Sequence, residues 1–219
     1  MAGTVTALVV QKRNKQRVSV YLDGDYSFAL PLIEAARLQN GQYLSDEEIE
    51  ALRGRDIAAK AHERALAFLG YRPRSAEEVR RNLREHDVPG WAVDETLARL
   101  ERAGLVDDAE FARFWIENRA QFRPRSPQAL RYELRQKGVA ESVIDDALST
   151  LDAETLAREA ARKRLHRFAD ADADTFRRKM GAFLFRQGFA YPLVREVVED
   201  LLARREETGA TGDADHART

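Results

Sequence analysis

The first 45 residues alternate apolar and other positions with a period of two. Val5, Ala7 and Val9, then Val18, Val20 and Leu22, then Tyr26, Phe28 and Leu30 form three such runs, the spacing of half-buried strands. The polar stretch 11–17 joins the first two, and Asp23-Gly24-Asp25 joins the second to the third, with Gly24 placed for the positive φ of a tight hairpin. The pattern predicts a small β-meander. At Ser45 the period changes. Ser45 with Glu48 forms a capping box, and helical spacing then continues to about Arg205. The last stretch, 206–219, has no large apolar residue and is expected to be a disordered tail.

The helical part repeats. Arg72-Pro73-Arg74-Ser75 returns as Arg123-Pro124-Arg125-Ser126, and the same offset pairs Tyr71 with Phe122, Val79 with Leu130, Leu83 with Leu134, Val88 with Val139, Val93 with Ile144 and Leu97 with Leu148. An offset one residue shorter carries the second copy onto a third, pairing Leu130 with Met180, Leu134 with Leu184, Gly138 with Gly188, Ile144 with Val194 and Leu148 with Val198. An ungapped apolar register of this length implies three tandem copies, each with three helices. In the second copy Asp107 or Asp108 caps a helix carrying Phe111, Trp115 and Phe122 near one face. Ser126 caps the next, with Pro127 in the tolerated first position, and Gly138 ends it. The stretch 151–154 lacks the glycine found at Gly104, so the helix there is expected to run on and tie the last two copies together. The resulting fold class is mainly α: three tandem three-helix repeats in an elongated, curved array behind an N-terminal β-meander. Expected boundaries are 1–54 for the β-rich module with a linking helix, 55–106, 107–152 and 153–205 for the repeats, and 206–219 for the tail.

Composition removes many functions. The chain has no cysteine and four scattered histidines, His62, His86, His166 and His216, so thiolate chemistry is excluded and no metal-ligand spacing occurs. No phosphate-binding glycine loop, dinucleotide fingerprint, metalloprotease helix or nucleophile elbow is present. The acidic run 170–174 lacks the glycine and distal glutamate of a calcium loop and reads as a turn with Asp174 capping a helix. A non-enzymatic protein without cofactor or metal is expected. No apolar run is long enough to span a bilayer and the N-terminus lacks the order of a secretory signal, which points to a cytoplasmic protein.

Net charge is only −1, so polyanion binding would have to come from local patches. Arginine supplies them. The stretch 72–84 holds Arg72, Arg74, Arg80, Arg81 and Arg84 against two glutamates; 119–137 holds Arg119, Arg123, Arg125, Arg131, Arg135 and Lys137 against Glu133 alone. These residues form the candidate binding face, their acidic counterweights being read as lying elsewhere, at 46–50 and 141–154. Guanidinium forks pair with phosphate or carboxylate, and a helix N-terminus beside them favours an anion. The turn 12–17 is a further exposed basic loop. In the last copy Phe176, Met180 and Phe183 fit a core face, and Phe185 is expected to pack against the preceding copy.

Gly104-Leu105-Val106-Asp107-Asp108 followed by Phe111-Ala112 and Arg119 resembles the signature of the RecX family of bacterial recombination regulators, as do the two Arg-Pro-Arg-Ser turns and Leu130-Arg131 through Glu133-Leu134 to Lys137-Gly138. Asp23-Gly24, Tyr26, Gly41-Gln42 and Leu44 match its N-terminal strand module. One departure is His86-Asp87, where Lys-Gly would stand by analogy with Lys137-Gly138. The resemblance implies a modulator that lies in the groove of the RecA recombinase filament, inhibits its ATPase, strand-exchange and co-protease activities, and touches single- or double-stranded DNA more weakly; a monomer is expected because the repeats supply their own neighbours. The competing expectations are a DNA-binding transcriptional regulator using one repeat like a helix-turn-helix, and a scaffold with no nucleic-acid role.

Overall fold

The computed structural model describes residues 1–216, with side chains through 205. The tail expected at 206–219 lies outside the described side chains and, at 217–219, outside the described residues. Two compact units divide the chain at Val106 and Asp107.

In the first unit, β1 (Gly3–Val10), β2 (Arg17–Leu22) and β3 (Asp25–Pro31) form the expected antiparallel meander. The turn between β2 and β3 has positive φ at both Asp23 and Gly24, the I′ geometry whose twist matches a hairpin. A short fourth strand, β4 (Tyr43–Leu44), pairs with β1 and completes the order β3-β2-β1-β4. At two residues it is too brief to show a period. The alternation also fails at one expected position. A register shift between Val5 and Ala7 re-aims β1, so that Leu8 turns toward the core and Val9 is 49% exposed. A second shift, opposite Tyr21, leaves Tyr26 outside while Phe28 and Leu30 are buried.

A single turn, α1 (Leu32–Ala35), leads to α2 (Asp46–Leu69), whose capping box forms as read: Glu48 N donates to Ser45 Oγ and Ser45 N to Glu48 Oε2. This long helix serves two cores. Ile49 and Leu52 close the sheet's core, and Ala61 and Ala65 enter the core of the first repeat with α3 (Ala76–Arg84) and α4 (Gly90–Arg102). Arg17, read as part of an exposed loop, is largely buried and ties β2 to α2 through Asp56 at 2.6 Å.

The second unit holds α5 (Asp108–Phe122), α6 (Pro127–Gln136) and α7 (Glu141–Leu148), then α8 (Ala153–Arg164), a 3-10 turn (Leu165–Phe168), α9 (Ala173–Arg186) and α10 (Tyr191–His216). Four rows of residues paired by the sequence offset are buried: Val79, Leu130 and Met180; Leu83, Leu134 and Leu184; Val93, Ile144 and Val194; Leu97, Leu148 and Val198; the pair Tyr71 and Phe122 is exposed. Each middle helix ends alike. Val88 N, Val139 N and Phe189 N donate to the carbonyls of Leu83, Leu134 and Leu184. The intervening left-handed residue is Gly138 or Gly188 in the later repeats and Asp87, at φ 56°, in the first. The His86-Asp87 departure therefore preserves the helix end, because an aspartate tolerates this conformation better than most side chains.

Other expectations give way. Asp107, not Asp108, caps α5, its Oδ1 accepting from Ala109 N and Glu110 N at 2.7 and 3.0 Å. Asp172, not Asp174, caps α9 through Thr175 N. The helix at 151–154 does not run on: α7 stops at Leu148, and Asp152 starts α8 by accepting from Thr155 N. A good capping side chain outweighs the missing glycine. Phe122, expected near a core face, and Phe185, read as off the core face and packed on the preceding copy, are 67% and 64% exposed.

Candidate anion-binding site

The eleven basic residues singled out by sequence divide into two groups. In the first repeat Arg72 grips Glu78 with both terminal nitrogens at 3.1 and 2.9 Å, and Arg80 reaches Glu77 at 2.8 Å. Arg74 lies over the Phe68 ring at 3.9 Å, where burial, reinforced by neighbouring Arg72, lowers its pKa. Arg81 and Arg84 are exposed, with no ion pair among the described residues.

In the second repeat Glu133 sits at the centre of a polar cluster. It accepts from Arg119 Nε at 2.6 Å and Trp115 Nε1 at 2.8 Å, and pairs with Arg125 at 3.3 Å. Arg119 and Lys137 also lie over the Trp115 ring. Arg131 bonds Glu141 and Asp145, and Arg135 bonds Glu141 at 2.6 Å. These interactions raise both arginine pKa values and lower that of Glu141. The counterweights read as lying elsewhere are thus folded back onto the basic stretch, from the next helix. Of the six basic residues singled out by sequence in this repeat, only Arg123 is both exposed and clear of the clusters just described.

Arg123 belongs to a different surface. The turn 122–126 docks on the end of α9: Ser126 N donates to Gln187 O at 3.0 Å and Arg125 Nη1 to Arg186 O at 3.0 Å. Gly188 is required at this joint. It has φ +90°, and a Cβ there would lie 2.8 Å from Ser126 Oγ and 2.9 Å from Ala129 Cβ. Lys163, from α8, closes the other side by donating to Ala120 O and Gln121 O at the C-terminus of α5.

The depression enclosed here is about 430 Å³, and Arg123, Arg125, Lys163, Arg164, Arg167 and Arg186 supply its charge; among the described residues no carboxylate lines it. A second depression of about 330 Å³ shares Arg164, Phe183 and Arg186 as a common wall and adds Arg178 and Lys179, again without a carboxylate. Arg164 lies over the Phe183 ring at 4.8 Å. Among the described residues Arg123, Arg164, Arg167, Arg178, Lys179 and Arg186 pair with no acid. By contrast a depression of about 590 Å³ in the first unit carries both signs, with Glu34 and Glu95 beside Arg55 and Arg99, and has no preference for anions.

The two basic depressions adjoin, the first at the joint between the second and third repeats and the second on the third repeat, and are together called the trough. Sequence reading found two of its residues, Arg123 and Arg125, and missed the rest, which come from α8, the 3-10 turn and α9. The signal available was the excess of base over 162–168, where Arg162, Lys163, Arg164 and Arg167 meet no acid.

A strand module followed by three-helix repeats, with cations that have no acid partner among the described residues gathered at a joint between repeats, defines a modular helical-repeat protein. Comparisons with known proteins specify which. The model described as the regulatory protein RecX N-terminal domain matches residues 3–45, and those described as the first, second and third three-helix domains of RecX match 61–100, 107–148 and 152–198. Regulatory protein RecX of Limosilactobacillus reuteri is 32% identical over 90% of this chain and 75% of its own. That of Clostridium botulinum is 28% identical over 90% of this chain and 96% of its own. A crystal structure of regulatory protein RecX superposes with a TM-score of 0.68 at 30% identity, covering 90% of this chain and 99% of the other. The chain belongs to the RecX family of regulatory proteins. No helix among the described residues is long and apolar enough to cross a membrane.

Proposed function

We propose that this protein binds the RecA nucleoprotein filament and restrains its ATPase, strand-exchange and co-protease activities, as a cytoplasmic monomer that catalyses no reaction itself. The observation that carries the proposal is the trough between the second and third repeats, where Arg123, Arg164, Arg167, Arg178, Lys179 and Arg186 lie without carboxylate partners among the described residues. Unpaired guanidinium groups are competent to grip the phosphates and carboxylates that line a nucleoprotein groove. Arg81 and Arg84 offer the same chemistry from the first repeat. A net charge of −1 keeps the molecule from coating DNA indiscriminately, so local complementarity decides the partner.

The test is ATP hydrolysis by the cognate RecA on single-stranded DNA, titrated with this protein beside a DNA-binding measurement at the same salt. Hydrolysis is expected to fall at protein levels well below those that saturate the DNA. A fall that appears only at DNA saturation, or no fall, overturns the filament reading.

A further inference from the structure

We infer that the trough between the second and third repeats is a single-strand nucleic-acid site, in which phosphates lie along the cations and a base stacks on Phe122. The inference rests on reading the trough as a polyanion site and goes further by naming the strand and its contacts.

Four features support it. First, the cations are spread over two adjoining depressions that share Arg164, Phe183 and Arg186. A linear chain of anions fits such an arrangement; a single phosphate would use only part of it. Second, the cations line depressions in the surface. A duplex is read by an element that protrudes into its groove, whereas a flexible single strand can follow a recess. Third, Phe122 is 67% exposed beside Arg123, and the same ring lines the first depression. An aromatic face beside a cationic groove is what unpaired bases use, and it tolerates any sequence. Fourth, the trough is preorganised. Lys163 is held on the α5 carbonyls, Arg125 on Arg186 O and Glu133, and Arg164 on Phe183. These anchors lower the entropic cost of ordering long side chains around a ligand.

The measurement is fluorescence anisotropy of a labelled oligothymidylate with the full chain, without RecA, over a range of salt. R167E/R178E/R186E is expected to weaken binding about tenfold or more and to make the slope of log affinity against log salt shallower by about two, near 0.7 for each phosphate no longer neutralised. The neutral variant R167Q/R178Q/R186Q serves if charge reversal impairs folding by circular dichroism, and the same direction is expected. F122A should cost about tenfold at unchanged salt slope, since stacking releases no counterion. R131Q/R135Q, which alters cations already held by acids, should leave binding within about twofold. Oligonucleotide affinity unchanged in the trough variants overturns the inference. So does a duplex of equal length bound as tightly as the single strand. Displacement of the oligonucleotide by polyglutamate at matched charge, with F122A silent, assigns the trough to an acidic protein segment instead and also overturns it. The assay contains no recombinase: a chain that binds the strand but leaves RecA hydrolysis untouched keeps this site and loses the filament reading, and the converse result does the reverse.

Discussion

Three aspartates show how a single side chain decides where a helix begins. Asp107, Asp152 and Asp172 each accept hydrogen bonds near a helix N-terminus, and each carboxyl is held below its ordinary pKa. For Asp107 the causes are the backbone N–H groups of Glu110 and Ala109; for Asp152 and Asp172, Thr155 and Thr175. A carboxylate whose folded pKa is depressed adds stability that is fully present above the unfolded value and is lost as pH falls through the folded one. The melting temperature is therefore expected to decline below the ordinary aspartate value of 3.8. Asp107→Ser keeps an acceptor without a titrating charge and should flatten its share of that decline. Asp107→Ala should cost about 1 kcal/mol near neutral pH by urea denaturation. Glycines give a sharper contrast. Gly104 (φ +67°) and Gly188 (φ +90°) are both left-handed, but only Gly188 faces atoms closer than 3 Å to an added Cβ. Gly104→Ala should cost about 1 kcal/mol, the conformational penalty alone. Gly188→Ala should cost clearly more and lower oligonucleotide affinity, because Ser126 and Ala129 must move and the trough's wall with them. Equal costs would mean that the joint yields freely.

At the scale of the element, Glu133 makes one helix the hub of its repeat. It satisfies Arg119, Arg125 and the indole of Trp115 together, and these groups are only about one-fifth to one-third exposed. Glu133→Gln removes the charge and should destabilise the second unit by about 1–2 kcal/mol, since two guanidinium groups lose their counter-charge and one of the two accepting oxygens becomes an NH2 donor. Trp115 is one of two tryptophans, so its fluorescence in a Trp91→Phe background would follow this unit alone. An unchanged urea midpoint would mean that water replaces the carboxylate at no cost. The same cluster explains what the sequence could and could not disclose. The repeats were readable because each buried row recurs at a fixed offset, and the caps because Ser45 and Ser126 stand directly before their helices. Faces were misjudged where a bulge reverses a strand's alternation, as at Val9, or where a turn side chain takes a role reserved for glycine, as at Asp87. The binding surface was half hidden for a related reason. Charge summed over 119–137 stops four residues before Glu141, the acid that neutralises Arg131 and Arg135, and the trough draws its cations from three elements that only folding brings together.

The whole molecule adds a consequence of carrying unpaired cations in both units, at Arg81 and Arg84 in one and in the trough of the other. Two weak attachments on one chain act in series on a shared partner. Once the first is made, the second is governed by effective concentration and can raise avidity by about 10²–10⁴. If both units engage one filament, R81E/R84E and R167E/R186E should each raise the concentration needed to halve RecA hydrolysis, by about tenfold or more. Their combination, which removes both attachments, should abolish inhibition over the same concentration range. The variants are well suited to this, because none of the four arginines has an acid to leave unpaired among the described residues. Melting temperatures close to the parent's would confirm that binding, and not folding, is being measured. If R81E/R84E inhibits as well as the parent while R167E/R186E fails, binding is confined to the second unit, and the arginines of α3 serve only as solvated charge. Silence from both pairs would remove unpaired cations from the mechanism and leave the exposed rings, Tyr71 and Phe122 at equivalent places in two repeats, as the groups to test next.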